Sequence, residues 1–99
     1  MIINGLKKRI VVIDDQGFAE GVSFILRFTK HYKVINSYSN AEDAIKNIKS
    51  ERPELMLMEI DLPGVDGLSA TKKIKEDFPN IDVIIVSENI ATQVILEAM

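Results

Sequence analysis

Ninety-nine residues make one small domain with one core, and 46% hydrophobic with 27% charged residues is close to the globular average, which excludes a disordered, collagen-like or coiled-coil chain. Twelve Lys and Arg against fifteen Asp and Glu leave a net charge of −3, without the basic surplus that drives phosphate-backbone binding, so nucleic acid is not an expected direct partner. No cysteine and a single histidine leave no disulfide, thiolate site or zinc pair, and no apolar run nears the ~20 residues of a membrane span; a cytoplasmic chain is expected.

Ile10-Val-Val-Ile13 is β-branched throughout and stopped by Asp14-Asp15, the pattern of a strand buried on both faces. From Gly17 to about Lys30, Phe18, Val22, Ile25 and Thr29 recur at helical spacing, with Phe24, Leu26 and Phe28 widening the stripe. Tyr32-Lys-Val-Ile-Asn-Ser37 reads as a second, more polar strand near a sheet edge. Asn40 can cap a second helix whose buried stripe is Ala41, Ala44, Ile45 and Ile48, with Glu42 and Lys46 spaced i,i+4 on its solvent side. Arg52-Pro53 ends it.

Leu55-Met-Leu-Met58 is a third strand, closed by Glu59, and Leu62-Pro-Gly-Val-Asp-Gly67 is dense in turn residues. Leu68, Thr71, Ile74 and Phe78 restore a helical period; Val83-Ile-Ile-Val86 is a fourth strand; Ile90, Val94, Ile95 and Ala98 suggest a final helix. Four βα units with short connections predict a doubly wound parallel sheet with helices on both faces. In such sheets ligands bind beyond the carboxyl ends of the strands.

Those ends are acidic. Strand one ends in Asp14-Asp15, strand three in Glu59 with Asp61 two positions on, and strand four in Ser87. Any one carboxylate there has an ordinary reading, contact with water. Several at one rim do not, because two unit charges about 5 Å apart repel by about 3 kcal/mol at an effective dielectric near 20. They call for a cation or for raised pKa values, and an oxygen-only donor set suits Mg²⁺.

An acidic pair after the first strand, an acidic residue after the third with Pro63 four and Gly67 eight positions on, and a hydroxyl after the fourth together resemble the receiver domain of two-component response regulators. The likeness runs from about Lys8 to the end, and Ile60-Asp-Leu-Pro-Gly-Val-Asp-Gly67 is its most specific stretch. It implies a flavodoxin-like sheet in the order 2-1-3-4-5 and Mg²⁺ held by Asp14, Asp15, Glu59 and the main-chain carbonyl of Asp61. Ser87 stands at the switch hydroxyl, and the implied reaction is phosphoryl transfer from a histidine kinase to an aspartate.

Two departures follow. The phosphoacceptor position is occupied by Glu59, and moving the frame to Asp61 breaks the spacing to both Pro63 and Gly67. The extra methylene shifts the oxygens by roughly 1 Å, enough to cost about 10²-fold in a positioned reaction, so efficient phosphorylation is not expected and a non-switching state is preferred to a constitutively active one. Glu88, where the family usually has a small residue, would crowd phosphate access. The family's fifth strand, the lysine after it and its fifth helix find no counterpart in residues 1–99, so the expected order is 2-1-3-4 in an incomplete receiver. Strand four would then be an open apolar edge, predicting either a homodimer through strand four and the last helix or a chain that is a fragment of a longer regulator.

The chain is accordingly expected to be a signalling module rather than an enzyme, with a histidine kinase or another signalling protein as partner. Two rivals stand beside it: a Mg²⁺-dependent phosphoryl-transfer enzyme using Asp14 as nucleophile, and a pure dimerisation module. His31 is expected at the surface, Met56 and Met58 as core fillers, and Lys7-Lys-Arg9 and Lys72-Lys73 in solvent.

Overall fold

The structure is a computed structural model that describes residues 7–87 and 93–97, with Ser87 and 93–97 described by their backbone alone. Its centre is β1 (Lys8–Ile13), whose Ile10, Val11, Val12 and Ile13 are each at most 2% exposed, as a strand covered on both faces requires. β2 (Tyr32–Tyr38) and β3 (Leu55–Glu59) flank it, both parallel, and β4 (Asp82–Ser87) runs parallel to β3. The expected order 2-1-3-4 is therefore present. β2 is the polar edge, and its register against β1 slips between Ile10 and Val11.

The far side of β4 departs from expectation. The segment with helical spacing at Val94 and Ile95 forms β5 (Gln93–Glu97), antiparallel to β4 from Val83↔Glu97 to Ser87↔Gln93. Three features favour the strand: a β-branched, apolar run, a connection of hairpin length, and a β4 edge whose backbone groups otherwise lack partners. A short apolar run does not by itself separate helix from strand. The open strand-four edge expected from the sequence is thus filled, and the dimer surface placed on strand four and a last helix is not there.

The helices divide unequally between the sheet's two faces. Val11, Ile13, Met56, Met58, Val83 and Ile85 point to one face, the period-two set of three adjacent strands, and meet Ala41, Ala44, Ile48, Ala70 and Ile74 in a single buried cluster. These come from α2 (Ala41–Lys46), α3 (Ile48–Glu51) and α4 (Gly67–Asp77). At roughly 1.5–3 kcal/mol per large buried side chain, this face holds most of the fold's cohesion. Met56 and Met58, both 0% exposed, fill the core as expected.

α1 (Phe18–Leu26) packs along β2 and has no fully buried residue. Ile25, on the apolar stripe of this helix, is 66% exposed, with Phe24 and Phe28 also exposed. The helix is shorter than its periodicity suggests because Thr29 Oγ1 donates to the Leu26 carbonyl and accepts from the Tyr32 amide, turning the chain toward β2. The second predicted helix is two pieces, since the Asn47 side chain donates to the Asp43 carbonyl and Asn47 itself leaves helical geometry. Arg52, at φ 53°, then stops it ahead of Pro53 as expected.

Candidate functional site

Sheet register brings the strand ends together. Ile13 pairs with both Tyr38 and Met58, and Glu59 with Val86, so the residues just beyond β1 and β3 emerge side by side. The Asp14 amide donates to the Tyr38 carbonyl at 2.8 Å and the Ile60 amide to the Val86 carbonyl at 3.1 Å, extending the ladder by one step at each end.

Asp14 is 7% exposed, with both carboxylate oxygens engaged. Oδ1 accepts from the Gln16 amide at 2.9 Å, an Asx turn, and Oδ2 from the Ala19 amide at 3.3 Å in the first turn of α1. Gly17, at φ 88°, supplies the left-handed step between them. Asp15 is exposed; its amide donates to Glu59 Oε1 at 3.2 Å and its Oδ1 accepts from Gln16 Nε2 at 3.1 Å.

Glu59 is only 3% exposed. Each of Asp14, Asp15 and Glu59 has a carboxylate oxygen within 4.8 Å of one on the others, as the rim reading expected. Burial, followed by a hydrogen bond with Asp14, pushes the Glu59 carboxyl from its ordinary 4.5 up to about 8, the Asp15 amide pulling the other way. The ion pairs among the described residues, Lys8–Asp82, Arg9–Glu54 and Lys73–Asp77, leave all three carboxylates out. Among the described residues no ion pair balances the acidic groups of this hollow.

The donor set fits a hard divalent ion. Three carboxylates supply oxygen donors alone, the hard set that Mg²⁺ prefers, with one oxygen of each within 4.8 Å of the others and Asp15 open to solvent. Asp61 is exposed and its carboxylate is not one of the group; only its main-chain carbonyl remains as the expected contribution. Ser87 closes β4 beside the end of β3, but its side chain and all of Glu88 lie outside the described residues. A groove of about 490 Å³ opens between α4 and β4 near Leu68 and Lys75, but it contains none of the three carboxylates.

Between β3 and α4 the chain turns tightly around Ile60, whose carbonyl accepts the amides of Leu62 at 3.1 Å and Gly67 at 2.8 Å. Gly67 has a steric reason to be glycine: a Cβ there would collide with the Glu59 carbonyl and lie 2.9 Å from Ile60 Cα. Asp66 caps α4 through the Ser69 amide at 2.8 Å, and that bond, with one from the Ser69 hydroxyl, lowers its pKa.

The backbone amides that hold Asp14 were not anticipated, although Asp-x-Gln-Gly is a turn signal of the kind that would have indicated them. Glu42 is exposed, as expected of the solvent side of α2, but its Oε2 accepts the Val65 amide at 3.3 Å, a contact its spacing to Lys46 does not suggest.

A family model described as the response regulator receiver domain matches residues 10–99. The transcriptional regulatory protein DegU of Brevibacillus brevis is 34% identical over 86 residues, covering 86% of this chain and 36% of that protein. The DNA-binding transcriptional regulator NtrC of Proteus hauseri is 32% identical over 83 residues, covering 82% and 17%. The isolated REC domain of RcsB from Salmonella enterica serovar Typhimurium superposes with a TM-score of 0.79 at 20% identity, covering 86% of this chain and 64% of that one. The response regulator domain of Thermotoga maritima CheB gives 0.73 at 28%, covering 83% and 61%. The chain thus spans little more than a third, at most, of these curated relatives.

Proposed function

This chain belongs to the response regulator receiver domains of two-component signalling, and on that footing we propose that it is a cytoplasmic Mg²⁺-binding module that does not accept a phosphoryl group efficiently. The observation that carries this is the placement of Glu59, buried at the end of β3 with its carboxylate drawn into the hollow by Asp14 and the Asp15 amide.

Asp14, Asp15 and Glu59 would hold the ion through their carboxylates, and Asp61 would add its main-chain carbonyl. When bound, Mg²⁺ supplies the positive charge that steadies an incoming phosphoryl donor. Everything else is the work of the chain. The Gln16 and Ala19 amides hold the Asp14 carboxylate in place, each taking one lone pair of an oxygen and leaving another for a cation. Glu59 occupies the phosphoacceptor position with a side chain one methylene too long. This chain covers only 25% of the protein-glutamate methylesterase/protein-glutamine glutaminase 1 of Syntrophus aciditrophicus, and the activity in that name is not carried over.

The partner is another signalling protein, a histidine kinase or a protein that reads the receiver; a net charge of −3 and an acidic rim do not suit nucleic acid. Ser87, at the strand end next to Glu59, takes the switch position. The test is intact-mass analysis after incubation with acetyl phosphate and Mg²⁺. No phosphoryl adduct is expected, and a stoichiometric one would overturn the proposal.

A further inference from the structure

The loop that joins β3 to α4 carries Asp61, and three fastenings hold it. At its end the Gly67 amide is bonded to the Ile60 carbonyl, and within it Leu62 is buried to 8% exposure. The third comes from outside the loop, from Glu42 in the first turn of α2, whose carboxylate oxygen accepts the Val65 amide across 23 positions of sequence. The same carboxylate lies against the bare Cα of Gly64, at φ 76°, in space that any Cβ would invade. Glu42 has no part in the ion pairs of the described residues and does not belong to the carboxylate group at the rim. Its contacts are with the loop.

We infer that Glu42 is a positioning residue for the acidic hollow: by holding Gly64 and Val65 it fixes the loop that presents the Asp61 carbonyl, and so sets metal affinity without touching the metal. This rests on the reading of the hollow as a Mg²⁺ site. A glutamine at 42 keeps an oxygen that can accept the Val65 amide; an alanine does not. Gly64→Ala attacks the same contact from the other side by displacing the carboxylate.

The experiment is calorimetric titration of the chain with MgCl₂ for the wild type, Glu42→Ala, Glu42→Gln and Gly64→Ala, beside amide hydrogen exchange without metal. Glu42→Ala is expected to weaken Mg²⁺ binding about fivefold and to speed exchange at Val65, with Glu42→Gln close to wild type. Once Glu42→Ala has removed the carboxylate, Gly64→Ala should weaken Mg²⁺ binding little further, although its strain at φ 76° still lowers stability. If the wild type binds Mg²⁺ and Glu42→Ala binds it equally well, the inference is wrong; so too if the glutamine variant behaves like alanine, which would make the effect one of charge alone. A wild type that takes up no Mg²⁺ contradicts the reading of the hollow itself, and the positioning role with it.

Discussion

Glu59 is a buried acid beside two others, and that shapes how the fold responds to pH. Its carboxyl is raised in the folded chain from 4.5 to about 8, so the folded state holds this proton more tightly than the unfolded state does. Stability therefore falls as pH climbs between those values, and the deficit is complete above the upper one. Glu59→Gln keeps the shape and can donate to Asp14 as the protonated acid does. It should melt several degrees higher than wild type near pH 9, given about 4–8 °C per kcal/mol for a domain of this size, with the advantage shrinking toward pH 5. Thermal melts across pH check this; a difference that does not change with pH would refute it. The residues of this cluster were legible in the sequence because acidic side chains at strand ends stand out against apolar runs. The amides that hold Asp14, and the reach of Glu42 to Val65, were not, since each depends on a turn or a loop path that residue types alone do not define.

The junction of β3 with α4 shows how an element boundary builds the site. Gly67 lets the first turn of α4 approach the last residue of β3 so closely that the Ile60 carbonyl bonds its amide. Gly67→Ala forces the helix away from Glu59; a loss of about 1–3 kcal/mol in urea unfolding is expected, the usual range for overpacking, with no loss if the backbone can yield. The parallel strands could be read directly from their β-branched runs, each short and bounded by acidic or turn residues. β5 could not, because Val94 and Ile95 fit a helical stripe and an alternating strand equally well until the edge of β4 is known to be available. The break at Asn47 was equally hidden: it depends on one side-chain amide capturing one carbonyl.

Across the whole molecule, the two faces of the sheet differ. One carries the continuous core with α2, α3 and α4; the other has α1, whose Phe24, Ile25 and Phe28 remain exposed. Fold class could be inferred from alternation alone, whereas the burial of α1 could not, because periodicity tells which side of a helix is apolar and not what covers it. The chemistry sits at one end, where three carboxylates converge in a chain that already carries net charge −3. A cation there stabilises the folded state by mass action, and it competes with the proton on Glu59.

Thermal unfolding with and without Mg²⁺, near pH 6.5 and near pH 8.5, therefore tests the central claim most directly. The melting temperature should rise with Mg²⁺, more at the higher pH, and Asp14→Asn should abolish the rise. A melting temperature indifferent to Mg²⁺, or a rise that is the same at both pH values and survives Asp14→Asn, would contradict a metal-binding hollow built from Asp14, Asp15 and Glu59.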